Sequence, residues 1–181
     1  MTTIYLSSTY EDLKEYREVV YKALRKSGYD VIAMEDYVAA DQRPVDKCLA
    51  DMVKSDIYIG IFAFRYDYVP LEAHGNPGKI SITELEFRHA EKLNKPRLTF
   101  VVNESTPWPP KFVDALTAED KGDGIHRFRS YLLTERMASS FSSPVSICTF
   151  CTSFGCVLSI IASRAGSKPC TALVVFACST T

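Results

Sequence analysis

The 181-residue chain has no glycine-rich phosphate loop: among its eight glycines neither a GxGxxG nor a GxxxxGK[ST] run occurs, which argues against nucleoside triphosphate hydrolysis. It has no excess of charge of either sign. Its 21 Lys and Arg against 22 Asp and Glu leave a formal charge of −1, so the basic footprint that phosphate backbones select is absent and no nucleic-acid partner is expected. The opening MTTIYLSSTYEDLKEY lacks the basic-then-apolar order of a secretory signal, so these residues are expected to belong to the fold and the chain to be cytoplasmic. What is there is ordinary for a globular chain: 46% hydrophobic and 24% charged residues, at a length suited to one domain with a real core.

Charge is unevenly spread. All the acidic residues, and every basic one except Arg164 and Lys168, precede Met137, whereas five of the six cysteines follow it amid many Ser and Thr. The reading is therefore a folded part over residues 1–143 and an atypical Ser/Thr/Cys-rich tail over 144–181.

Ile4, Tyr5 and Leu6 form a β-prone run that stops at Ser7-Ser8-Thr9, where Ser8 to Glu11 and Thr9 to Asp12 have capping-box spacing and predict a helix. In that helix Leu13, Tyr16, Val20, Ala23 and Leu24 recur at about 3.6 residues, which sends Lys14, Glu15, Arg17, Glu18, Lys22 and Arg25 toward water; Gly28 ends it. Residues 29–34 read as a second strand, and a second helix follows with Pro44 in its first turn and Val45, Cys48, Leu49, Met52 and Val53 as its apolar stripe. Cys48 is expected to pack as a small hydrophobe. The nearly unbroken apolar run 57–63 is the expected central strand, because a strand covered on both faces has no need to alternate. A polar loop with Asn76-Pro77-Gly78, a third helix over 81–94 and a fourth strand over 97–102 complete the alternation, and a last helix is expected over about 120–137 with Ile125, Phe128 and Leu132 inward. This βαβαβαβ order predicts an α/β fold: three layers, a parallel sheet of four or five strands with helices on both faces, and a crevice at the carboxyl ends of the strands.

On the third helix Ile82, Leu85, His89 and Leu93 share one apolar stripe, which places Glu86 within it and Glu84 toward water. A carboxylate buried in the first turns of a helix at such a crevice is a candidate for chemistry, or else a structural group bonded to the neighbouring loop or paired with Arg65 or Arg97. His89 is expected as a core histidine. Ser7, Ser8 and Thr9 are candidates for holding an anion or a ribose hydroxyl at a helix start, alongside a plain capping role. Asp56 before the central strand, and Arg65, Tyr66 and Tyr68 after it, are candidates to line the crevice.

Ile4-Tyr5-Leu6-Ser7-Ser8-Thr9-Tyr10-Glu11-Asp12-Leu13, Met34-Glu35, Ser55-Asp56-Ile57-Tyr58-Ile59-Gly60-Ile61, Arg65-Tyr66 and Ser81-Ile82-Thr83-Glu84-Leu85-Glu86-Phe87 together resemble an uncharacterised family, the domain of unknown function 4062. The likeness runs to Leu133-Thr134-Glu135-Arg136 and Phe141-Ser142-Ser143-Pro144. That family stands at the N-terminus of large STAND-type NTPases carrying NACHT, WD-repeat or tetratricopeptide modules, and looks like a distant relative of TIR and nucleoside 2-deoxyribosyltransferase folds. The resemblance implies a flavodoxin- or TIR-like sheet and a signalling or effector module that associates with like domains or other proteins, or senses a ligand. It also implies an alternative, N-glycosidic cleavage of NAD or a nucleoside, either one acting as substrate with no resident cofactor. In that alternative Glu86 acts at the sugar carbon, Ser7 or Ser8 anchors ribose or phosphate, and Tyr5 or Tyr66 orients the base. In the transferase pattern Asp-x-Gly-Thr-x-x-Glu, Thr83 and Glu86 match but Ile80 and Ile82 replace the Asp and Gly, which tilts the reading toward the module.

Past about Val145 the likeness ends. Residues 137–163 are uncharged for long enough to span a bilayer, yet Ser, Thr and Gly interrupt them, so 145–163 is only a weak membrane candidate. Cys148 and Cys151 have zinc-knuckle spacing without a second ligand pair, and no metal is expected. The expectation for this tail is a frame-shifted or truncated gene end, weakly attached to the domain.

Overall fold

The structure, a computed structural model, describes residues 1–34, 45–66, 68–71, 76, 78–134, 138–144 and 146–147. The expectations placed on Glu35, Pro44, Pro77, Glu135, Arg136 and the tail from Cys148 lie outside these residues.

The elements are β1 (Thr3–Ser8), α1 (Lys14–Lys26), β2 (Asp30–Ile32), α2 (Val45–Lys54), β3 (Ile57–Phe62), α3 (Ile82–Lys92), β4 (Arg97–Val102), a 3-10 turn (Pro110–Phe112), α4 (Asp114–Thr117), α5 (Asp123–Leu132) and β5 (Ala138–Phe141). All strand pairs are parallel, in the order β2-β1-β3-β4-β5. This is the α/β architecture that the alternating pattern predicts, with β5 as a fifth, edge strand. α5 is shorter than expected but turns Ile125, Phe128 and Leu132 inward as its spacing requires.

Each strand divides its side chains between two cores. Ile4 and Leu6 of β1 and Ile57, Ile59 and Ile61 of β3 meet Leu13, Val20 and Leu24 on the α1 side. Tyr5, Tyr58 and Phe62 point the other way, toward Met52 of α2, Phe87 and Ala90 of α3, and Ile125, Phe128 and Leu132 of α5. Both faces are therefore covered, and each fully buried aromatic or branched side chain contributes about 1.5–3 kcal/mol. On the second face Phe62, Phe87 and Phe128 pack edge to face, with centroids 5.2 to 6.2 Å apart, and lock α3 and α5 to the central strand. Gly60 makes this possible, since a Cβ there would lie 2.5 Å from the Phe62 ring.

Three expectations about faces are corrected. Arg17 is fully buried rather than exposed: it stands four residues after Leu13 and three before Val20, on the very stripe that faces the sheet. Val53 is 52% exposed, because Cys48 and Met52 supply the inward face of α2. On α3 the buried arc is Thr83, Glu84, Glu86, Phe87 and Ala90, while Ile82, Leu85 and His89 are half-buried and Leu93 is exposed. Phe87, the largest apolar side chain of that helix, sets which side meets the sheet, and Glu86 is inward as one flank of the Phe87 arc. Gly28, at φ 86°, follows the end of α1 as expected, and Cys48 is buried, as expected of a small hydrophobe.

Candidate functional site

The chain leaves β1 for β2 on one side and returns to β3 on the other. A parallel sheet of this order has its crevice at that reversal, outside the carboxyl ends of β1 and β3. Ser7, Ser8 and Thr9 leave β1 there, residues 63–66 leave β3, and the first turns of α3 bring Thr83, Glu84 and Glu86 toward them.

Glu86 is 7% exposed, and its two carboxylate oxygens are divided between two strand residues. The Tyr5 hydroxyl donates to Oε1 and the Ser7 hydroxyl to Oε2, each at 2.6 Å. Tyr5 and Ser7 alternate with Ile4 and Leu6, so the pleat of β1 aims both at α3. Neither Arg65 nor Arg97 pairs with Glu86; Arg97 reaches Glu91 at 3.8 Å instead. Beside this cluster the Tyr58 hydroxyl is buried near Ser7 and Glu86 but meets neither in hydrogen-bond geometry. Burial first, and the Glu86 charge second, push its pKa well above the ordinary tyrosine value.

Ser8 and Thr9 do not cap α1, which begins at Lys14 behind Leu13 without a side-chain cap. A turn closed by the Leu13 N–H on the Tyr10 carbonyl (3.3 Å) lies between, so the positive helix end is not at Ser7–Thr9 as expected. The Ser8 hydroxyl instead donates to the Thr9 carbonyl at 2.6 Å and accepts from Nη1 of buried Arg17 at 2.8 Å. The Thr9 hydroxyl oxygen is buried with no partner among the described residues.

Glu84 corrects the expectation that it faces water: it is 1% exposed. Its Oε1 accepts from Arg88 Nε at 2.7 Å, and its Oε2 from the Tyr66 hydroxyl at 2.5 Å and Arg127 Nη2 at 3.4 Å. The Ser81 side chain caps α3 by accepting the Glu84 N–H, so Ser81-x-x-Glu84 is the spacing that could have marked this residue. Tyr66 is buried as well, and burial together with its bond to Glu84 pushes its pKa up to about 12. Thr83 is 7% exposed on the same arc.

Asp56 is not part of the site. It is exposed at the amino end of β3, where Oδ2 accepts the Thr3 N–H at 2.8 Å, so the sheet separates it from the crevice. Arg65 is half-buried next to Tyr66, and Tyr68 is 41% exposed. His89 is half-buried rather than a core residue, and burial followed by Lys92 and Lys95 lowers its pKa. Arg129 was unmarked in the sequence: it is 5% exposed and donates to the carbonyls of Ala63 and Val102 at 2.9 Å, capping the ends of β3 and β4. Among the described residues no group of three or more His, Cys, Asp or Glu could hold a metal, and no helix is long and apolar enough to cross a membrane.

Residues 3–149 match the model of a domain of unknown function, DUF4062. No curated protein matches the chain. Among solved structures, a 2-deoxyribosyltransferase from the psychrotolerant bacterium Bacillus psychrosaccharolyticus is 22% identical, with a TM-score of 0.40 over 55% of this chain and 72% of that one. A TIR domain from the RPS4 and RRS1 heterodimer is 11% identical, with a TM-score of 0.46 over 92% of this chain and 97% of that one.

Proposed function

Because the chain belongs to the DUF4062 family, we propose a role from its own geometry: a signalling or effector module that senses a hydroxylated, ribose-type ligand in the crevice between β1 and β3, with Glu86 as the anchor. One observation carries this reading. Glu86 is a buried carboxylate whose only side-chain partners among the described residues are two hydroxyls, Tyr5 and Ser7. Desolvating a carboxylate costs several kcal/mol, and a carboxylate serving the fold alone is commonly matched by a cation. Here each oxygen accepts one bond and keeps a lone pair for a ligand hydroxyl or N–H. The hydroxyls of Thr9 and Tyr58, buried with no hydrogen-bond partner among the described residues, support the same reading, since buried polar atoms without partners are rare. Ser8 and Thr83 line the site, and the response passes to like copies or to a downstream NTPase.

A second reading is favoured by Thr83 and Glu86 sharing one buried arc at the transferase spacing. It is N-glycosidic cleavage of NAD or a nucleoside. The C1′–N bond breaks with its electron pair going to the base, Glu86 stabilises or traps the cationic sugar carbon, and water supplies hydroxide to that carbon; the remaining proton goes to the departing base of a nucleoside or, with NAD⁺, whose nicotinamide leaves neutral, to solvent.

Calorimetry and base-release chromatography on the full chain, with NAD⁺ and with deoxynucleosides, test both. Binding lost in Glu86→Gln without base release supports sensing, and release by the wild type alone supports cleavage. Equal binding by wild type and variant removes Glu86 from either.

A further inference from the structure

Glu84 serves no purpose in the reading just given, yet it is more deeply buried than Glu86. Three elements converge on it. Tyr66, from the loop after β3, donates its hydroxyl to Oε2; Arg88 donates from the next turn of α3 to Oε1; and Arg127 of α5 reaches Oε2 at 3.4 Å and the Tyr66 hydroxyl oxygen at 3.0 Å. Tyr66 is held in turn by its backbone N–H, which donates to Asp114 Oδ2 at 2.6 Å, and by its ring, which packs edge to face on Phe128 at 6.5 Å. The outer end of the network is wet, since the Arg127 side chain is 62% exposed.

The middle of α3 is fixed by Phe87 and Ala90 in the core. Its first turn, which carries Glu84 and leads into Glu86, is tied to the β3 loop and to α5 through Glu84. A small tilt of that turn about Phe87 would carry Glu86 away from its two 2.6 Å partners on β1, and hydrogen bonds fall off steeply with distance and angle.

We propose that Tyr66, Glu84 and Arg127 form a clamp that positions Glu86, holding the first turn of α3 against the β3 loop so that the Glu86 carboxylate meets Tyr5 and Ser7. Tyr66 and Arg127 are positioning residues, acting on the site through α3. The raised pKa of Tyr66 keeps its hydroxyl a donor throughout the neutral range. This inference rests on Glu86 being the sensing group, but the clamp itself is tested without any ligand.

The experiment follows, in the full chain, the carbon-labelled Tyr5 Cζ resonance, which reports on the Tyr5–Glu86 bond, together with amide exchange at Tyr66. Tyr66→Phe is expected to speed exchange at residue 66 by about tenfold, the loss of one bond to a charged group, and to shift the Tyr5 Cζ signal. Arg127→Met gives a smaller change of the same kind, and Arg127→Lys restores most of it. Faster exchange at Tyr66 with an unmoved Tyr5 signal would overturn the proposal, leaving Glu84 a fastener of the fold. Failure of the sensing reading looks different: NAD⁺ binding unaffected by Glu86→Gln, whatever the Tyr5 resonance does.

Discussion

Two residues apart on α3, Glu84 and Glu86 are both withdrawn from water but keep different company. Glu84 faces two arginines and a tyrosine, drawn from α3, α5 and the β3 loop. Among the described residues, the hydrogen bonds to Glu86 come from two hydroxyls, both on β1. A carboxylate matched by cations is satisfied by the protein itself and fastens elements together. One matched by neutral donors is not neutralised by the groups that bond it, which in the function proposed above leaves it open to a ligand. The difference sets a structural corner of the crevice beside the corner proposed to receive that ligand.

The largest effect is expected at Glu84. Glu84→Ala leaves Arg88, Arg127 and the Tyr66 hydroxyl without their acceptor; because both arginines are partly exposed, the loss should be about 2–3 kcal/mol by urea unfolding, below that for a fully buried pair. Tyr5→Phe removes one donor to Glu86 and should cost about 1.5 kcal/mol, with the fold kept by the ring's stacking on Tyr58 at 6.2 Å. Glu86→Gln should cost at most about 1 kcal/mol, because the amide oxygen still accepts and either hydroxyl can reverse to accept from the amide N–H. A Glu86→Gln loss as large as that of Glu84→Ala would erase the distinction between the two. Alkaline titration sharpens it further. Tyr66 has a folded pKa of about 12 against about 10 for a free tyrosine, so its contribution is complete below about pH 10 and is lost as pH rises toward 12. Tyr66→Phe should flatten that limb of the stability curve, read by circular dichroism. Arg127→Met should have the smallest effect, under about 1 kcal/mol, since exposed pairs are worth little.

The sheet was legible wherever one rule acted alone. The run from Ile57 to Phe62 is apolar because both its faces are covered, and residues 97–102 were placed to the residue. β5 was missed because Ala138–Phe141 has only four residues, two of them serine, and only pairing with β4 reveals it. Of the candidate site, the inward side of Glu86 was legible in part, since it flanks the Phe87 arc and not a stripe of Ile82, Leu85, His89 and Leu93; Ser7 at the end of β1 and Tyr66 in the loop after β3 stand where their places in the sequence suggest. Arg17 and Glu84 were misread for different reasons: Arg17 was assigned to water by its charge, and Glu84 by its angle from that stripe, whereas Phe87 and Ala90 face the sheet. Helical angle places Arg17 on the stripe of Leu13 and Val20, and Ser81-x-x-Glu84 marks the first turn of α3. Partners supplied by distant residues, Ser8 for Arg17 and Tyr66 for Glu84, are invisible to local pattern. Asp56 was misplaced because a residue beside a strand in sequence can lie at either end of it, and the amino end faces away from the crevice.

Gly60 pairs with Ser7 across the sheet, and the Phe62 ring occupies the volume its own side chain would need. Even alanine there would drive that ring into Phe87 and Phe128, the contacts that seat α3 and α5. A single methyl group placed at the hub of the sheet would thus be felt at both acidic residues together, although it touches neither.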